Sequence, residues 1–177
     1  MKIGVNLFSI RNLIQTEDEL IKTILLLKKN GCDFVQFSGS PVPLVSLKDV
    51  VKKTGVPIVL THSPYDRIVG DLDNLIKEHK SFGCKNIGLG MLPPKGFTDE
   101  KELNIFIKNA NKVVKRLEKE NMKFFYHNHF QEFKKNKKGE TFCLTFFFYP
   151  IRIILHLHQH LLQYHLQSHL KTTLHIY

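Results

Sequence analysis

KFFYHNHFQEF, residues 123–133, decides how this chain is read. Phe124, Phe125 and Tyr126 form a short apolar run that ends abruptly in His127, Asn128 and His129, with Glu132 just beyond. An apolar run bounded in this way reads as a buried strand. In a parallel α/β protein the carboxyl ends of the strands are where chemistry is kept. His127 and His129 are two residues apart, so strand alternation puts both on one side. Glu132 reads equally as an acid that opens a helix and as an acid of the pocket.

Upstream of this stretch the same pattern recurs. Residues 3–7 (IGVNL) read as a first strand. Thr16 and Glu19 then have capping-box spacing, and Leu20, Ile24 and Leu27 make a helical stripe that Gly31 ends. Residues 33–37 are a second strand, closed by Ser38, Gly39, Ser40 and Pro41. Ser46 and Asp49 repeat the capping spacing for a short helix through Lys53. Residues 57–61 (PIVLT) are a third strand ending at His62. A helix is expected over 71–82, with Leu72, Leu75, Ile76 and His79 on one face, and Gly83 ends it. Residues 86–89 are a fourth strand. Thr98 starts a long helix to Glu120, with Leu103, Phe106, Ile107, Ala110, Val113, Val114 and Leu117 as its apolar stripe.

Strict alternation of strand and helix demands a parallel sheet. An open doubly wound sheet and part of a (β/α)8 barrel both satisfy it. The first strand lacks the glycine-rich turn of a dinucleotide-binding sheet. Polar residues follow the strands at Asn6, Gln36, His62 and His127–His129, and polar strand ends collected on one rim favour the barrel. The expected fold is therefore an α/β, TIM-barrel type chain, truncated after about five βα units. Cys32 and Cys84 each precede a strand at the opposite end from the rim and read as core.

After Lys138 the composition breaks, which divides the chain at 1–138 and 139–177. From Thr141 onward there is no Asp, Glu, Gly, Ala, Val or Asn, and six of the ten histidines lie there. Three readings stay open: a His-rich metal-binding tail, an amphipathic segment, or non-native sequence read out of frame or across a wrong splice junction. The third is preferred, because the histidines settle into no repeated ligand spacing. From Thr141 on, the tail has one proline and no glycine to end helices, so it is not expected to complete a barrel. A helix or hairpin from it would cover the open edge of the fifth strand.

The 177 residues suit one domain with a sizeable core, and the 42% hydrophobic fraction is ordinary. Up to Glu140 there are 24 Lys and Arg against 16 Asp and Glu, and the whole chain carries +10. The lysines are spread over several helices among acids, which argues for a solvated surface and against a nucleic-acid partner. Three cysteines, far apart and with no CxxC, point to a reduced compartment without disulfides or a zinc knuckle. No stretch offers about 20 clean apolar residues for a membrane span. The chain is expected to be cytoplasmic, with no membrane partner.

The segments VNLFSIR, GCDFVQFSG, THSPYDRIVGDLDNLIKEHKSFGCKNIGLG and KFFYHNHFQEF together resemble the first five βα units of the sugar phosphate isomerase/epimerases. These are xylose-isomerase-like TIM barrels, a superfamily that also includes inosose dehydratases and family-2 apurinic endonucleases. The resemblance covers about residues 1–138. It implies a divalent metal (Mn, Mg, Co or Zn) at the carboxyl rim and proton transfer between adjacent carbons of a sugar or polyol. Many members carry Glu-Asn-His at the end of strand five, with the glutamate as first ligand. Here His127 stands in that place, which makes it the metal candidate. An imidazole brings no negative charge and is a poorer base for a carbon acid. His129 and Glu132 are the proton-transfer candidates, and Asn6, Gln36, His62 and Asn128 the substrate contacts. The ligands that strands six to eight would bring have no counterpart. Two functions stay open: a sugar isomerase/epimerase, and an inactive barrel fragment that associates with itself or a partner through its open edge. An endonuclease of the same superfamily would need a focused basic stripe.

Overall fold

The computed structural model describes residues 2–91, 100–127, 129 and 154–156. The expected start of the long helix at Thr98, the candidates Asn128 and Glu132, and most of the tail lie outside the described residues.

The strands are β1 (Gly4–Asn6), β2 (Phe34–Phe37), β3 (Ile58–Ser63), β4 (Asn86–Leu89), β5 (Lys123–His127) and β6 (Ile154–His156). They lie side by side in chain order, and every neighbouring pair is parallel. The helices are α1 (Glu17–Lys29), α2 (Leu47–Thr54), α3 (Tyr65–Gly70), α4 (Leu72–Ser81) and α5 (Glu100–Glu118). This is the expected βα alternation, and its five parallel strands form part of a barrel. The sixth strand was not expected. It comes from the tail and pairs with β5, His127 opposite His156. The edge of β5 is thus covered, by a strand rather than by a helix or hairpin.

Three helices, α1, α4 and α5, hand the chain to the next strand through a similar corner. Gly31, Gly83 and Asn121 all adopt positive φ, at 87°, 76° and 55°. That left-handed residue turns the chain, and the amide after it reaches back to the last helical turn. Cys32 N donates to Leu27 O at 3.0 Å, Cys84 N to His79 O at 2.9 Å and Met122 N to Leu117 O at 3.0 Å. Backward bonds of this kind satisfy carbonyls that the helix end would leave open. The residue carrying the amide is buried in all three corners. The cysteines are core, as expected, and burial pushes the Cys84 thiol up to about 11, so it stays protonated.

The helix starts are uneven. Thr16 caps α1 in a full capping box: its Oγ1 accepts from Glu19 N at 3.2 Å, and Glu19 Oε2 accepts from Thr16 N at 3.0 Å. Ser46 does not cap α2. It is the last residue of a 3-10 turn, Leu44–Ser46, that runs directly into the helix, so its backbone is already helical and its side chain makes no cap bond. Thr16→Ala should therefore cost about 1 kcal/mol in urea denaturation, while Ser46→Ala should stay near zero.

The stripe expected on α5 is entirely buried: Leu103, Phe106, Ile107, Ala110, Val113, Val114 and Leu117. It packs on β5, where Tyr126 meets Phe106 with ring centres 6.0 Å apart. Polar bonds tie the same layers. Arg116 joins Asp73 at the start of α4 to Glu120, and Glu120 also pairs with Lys80. No helix among the described residues is long and apolar enough to cross a membrane.

Candidate functional site

Parallel pairing sets the carboxyl ends of all strands on one side. Asn6 is the last residue of β1, Gln36 and His62 are next to last in β2 and β3, and His127 is the last of β5. The structure therefore places these four residues on one rim.

Three of them form a contiguous row. Gln36 is buried, and its Nε2 lies 2.9 Å from His62 Nε2. With the amide nitrogen donating, the imidazole nitrogen accepts, and the neutral ring carries its proton on Nδ1. The His62 ring lies 5.1 Å from that of His127. The His127 ring lies 4.9 Å from that of His129. His127 is buried, while His62 and His129 are half-buried. Asn6 serves a local purpose: its Oδ1 accepts from Ser38 Oγ at 2.7 Å and from Phe8 N at 3.1 Å, which locks the end of β1 to β2. Only its amide nitrogen is left for a ligand. Asn128 and Glu132 are outside the described residues.

Two residues that shape this row are glycines. A Cβ on Gly90 would stand 2.7 Å from His62 Nδ1, and one on Gly88 would stand 2.8 Å from Thr61 O and 3.0 Å from His62 Cδ2. The His62 ring thus lies on a bare patch of β4. Neither glycine stands among the site residues expected from the sequence. The available signal was a glycine at every second position, which clears one face of a strand.

Behind the rim, on the helix side of β3, Thr61 Oγ1 donates to His79 Nε2 at 2.6 Å. His79 Nδ1 donates to Leu75 O at 2.7 Å. Thr61 immediately precedes His62, so this buried pair anchors the strand end that carries the site. His79 is fully buried and structural.

Among the described residues, the divalent metal expected at this rim finds no matching donor set: no three His, Cys, Asp or Glu side chains converge to hold an ion. The groups gathered here are imidazoles and an amide, whereas magnesium and manganese favour carboxylate and water oxygens. The row can exchange hydrogen bonds with hydroxyl groups and can move a proton between imidazole nitrogens and a bound molecule.

No protein-family model and no curated protein matches this sequence. Solved structures do match. A sugar phosphate isomerase/epimerase from Parabacteroides distasonis superposes with a TM-score of 0.69 at 16% identity, covering 95% of this chain and 75% of its own. A second structure described in the same way, from the same organism, gives 0.66 at 17%, covering 88% and 67%. A xylose isomerase-like TIM barrel protein from Mycobacterium smegmatis, in complex with magnesium, gives 0.56 at 15%, covering 72% and 55%. The likeness read from the sequence is thus met in three dimensions: the chain has the fold of the sugar phosphate isomerase/epimerases and xylose isomerase-like TIM barrels, over part of a barrel.

Proposed function

We propose that the rim is a sugar- or polyol-binding site of the isomerase/epimerase kind. Gln36 and His62 contact substrate hydroxyls, and His127 and His129 take the proton-transfer positions. The observation that carries this reading is the unbroken row from Gln36 through His62 to His127 and His129, at the strand ends where this fold keeps its chemistry. Asn128 and Glu132 join the proposal by sequence position alone, and Asn6 joins through its remaining amide.

The same row argues against isomerisation by residues 1–177 themselves. Shifting a proton between carbons needs a base of matched strength and an electrophile on the carbonyl oxygen. Neutral imidazoles supply the first weakly, and no acid follows Glu140 to add to the site. The chain is therefore expected to bind sugars without turning them over. Ligand-observed NMR with a panel of ketoses, aldoses and inositols should show binding that Gln36→Leu and His62→Ala each weaken about tenfold, the loss of one or two hydrogen bonds. Turnover assays with and without magnesium, manganese or cobalt should read background. Turnover that His127→Ala abolishes would show the chain to be a competent enzyme, and absence of any sugar binding would remove the reading altogether.

A further inference from the structure

We propose that the outward face of α5 is a docking line for the phosphate backbone of duplex nucleic acid. In the sequence the lysines look scattered. On this helix they fall into one row. Lys101, Lys108, Lys112 and Lys115 lie within an arc of about 60° at 3.6 residues per turn. All four are exposed. The row points directly away from the buried stripe of Leu103, Ala110 and Leu117, and it runs about 21 Å along the helix at 1.5 Å per residue. Lys119, also exposed, continues it in the turn that follows.

A surface serving solubility alone would intersperse acids at these positions. The seam between α4 and α5 does so, with Asp73 and Glu120 matched to Arg116 and Lys80. The outward row does not. None of its four lysines makes an ion pair among the described residues. Lys108 faces Lys112, and Lys112 faces Lys115, at spacings where like charges destabilise a helix by about 0.2–0.5 kcal/mol each. That repulsion is relieved when a polyanion lies along the row. A single line of charge suits a linear polyanion better than a flat lipid surface, which would meet neighbouring helices too. The duplex is the linear polyanion of highest charge density, with one charge per about 1.7 Å of its axis. Lysines on phosphates position a protein without reading bases, so binding is independent of sequence. This surface is separate from the rim, so its fate does not depend on sugar binding.

The test is fluorescence anisotropy of a labelled 20-base-pair duplex with residues 1–177, over 50–200 mM KCl. Four phosphate contacts predict a log–log salt slope from α5 of about −3.6. Replacing Lys108, Lys112 and Lys115 together by Gln should flatten the measured slope by about 2.7. Lys112→Gln alone, too mild to threaten the fold, should flatten it by about 0.9. The control triple Lys22→Gln, Lys48→Gln, Lys52→Gln, exposed lysines of α1 and α2, should leave it unchanged. Equal slopes for all variants, or no duplex binding at 50 mM, would overturn the proposal. So would binding to phosphatidylserine vesicles without binding to the duplex.

Discussion

Acidification from pH 7 to pH 4 should remove about 3 kcal/mol of folding stability through one side chain, His79. The ring is fully buried, and its pKa is held down to about 4 from the usual 6.5. Burial is the main cause, since it penalises the imidazolium. The hydrogen bond to Leu75 O works the other way, and the nearby Arg67 charge adds to the lowering. Because the folded value lies below the unfolded one, the unfolded chain binds the extra proton. Stability is then full above about pH 6.5, falls between 6.5 and 4, and levels off below 4 for this group. Carboxylates interfere little in the upper part of that window. Glu120, for example, is held at about 2 by Lys80 and Arg116 and stays ionised throughout. Urea midpoints at pH 7, 5.5 and 4.5 should fall for the natural chain. His79→Gln should start less stable at pH 7 and then hold nearly level to pH 4.5. A parallel decline in both proteins would place the titrating group elsewhere.

The fold was legible where periodicity was long and punctuation strong. Residues 86–89 were read as a strand and are one to the residue, because Gly83 ends the helix before it and Gly90 closes it. The seven apolar positions of α5 span several helical turns, long enough for the 3.6-residue period to show. The segments that were missed are short. The 3-10 segment Leu7–Leu13, broken by a kink at Ile10, and the six-residue α3 are below the length at which a stripe emerges from noise. Strand β6 is three residues, and its pairing with β5 is a long-range event that no local pattern records. The rim was legible because polar residues stood out against the apolar strands that carry them. What joins Gln36 to His62 was not, since the two are 26 residues apart and meet only through strand pairing. His79 had been placed on an apolar helix face, and a buried polar side chain must find partners. Which partner it finds, Thr61 on the facing strand, depends on packing that the sequence does not display.

Gly88→Val should cost about 3 kcal/mol and dislodge His62 from the rim, the upper range for overpacking a closed core. The first added carbon already stands 2.8 Å from a backbone oxygen, Thr61 O, which belongs to a paired strand and cannot swing aside. The next contacts are His62 Cδ2 at 3.0 Å and Leu60 Cδ1 at 3.3 Å, so two further methyl groups have nowhere to go. The β3–β4 pairing must open or the His62 ring must move, and either breaks the contact with Gln36. Gly90→Ala separates the two effects. The three atoms nearest its new carbon all belong to the His62 side chain, at 2.7–2.9 Å. A change of χ1 carries Nδ1 and Cγ away, but Cβ moves only with its backbone, so a small shift of the β3 end must accompany it. Gly90→Ala should thus stay folded while losing the Gln36–His62 bond and the sugar binding that depends on it. Thermal melts and the His62 ring resonances read the two quantities independently. If Gly90→Ala leaves both the ring resonances and the binding unchanged, the bare face of β4 does not position His62.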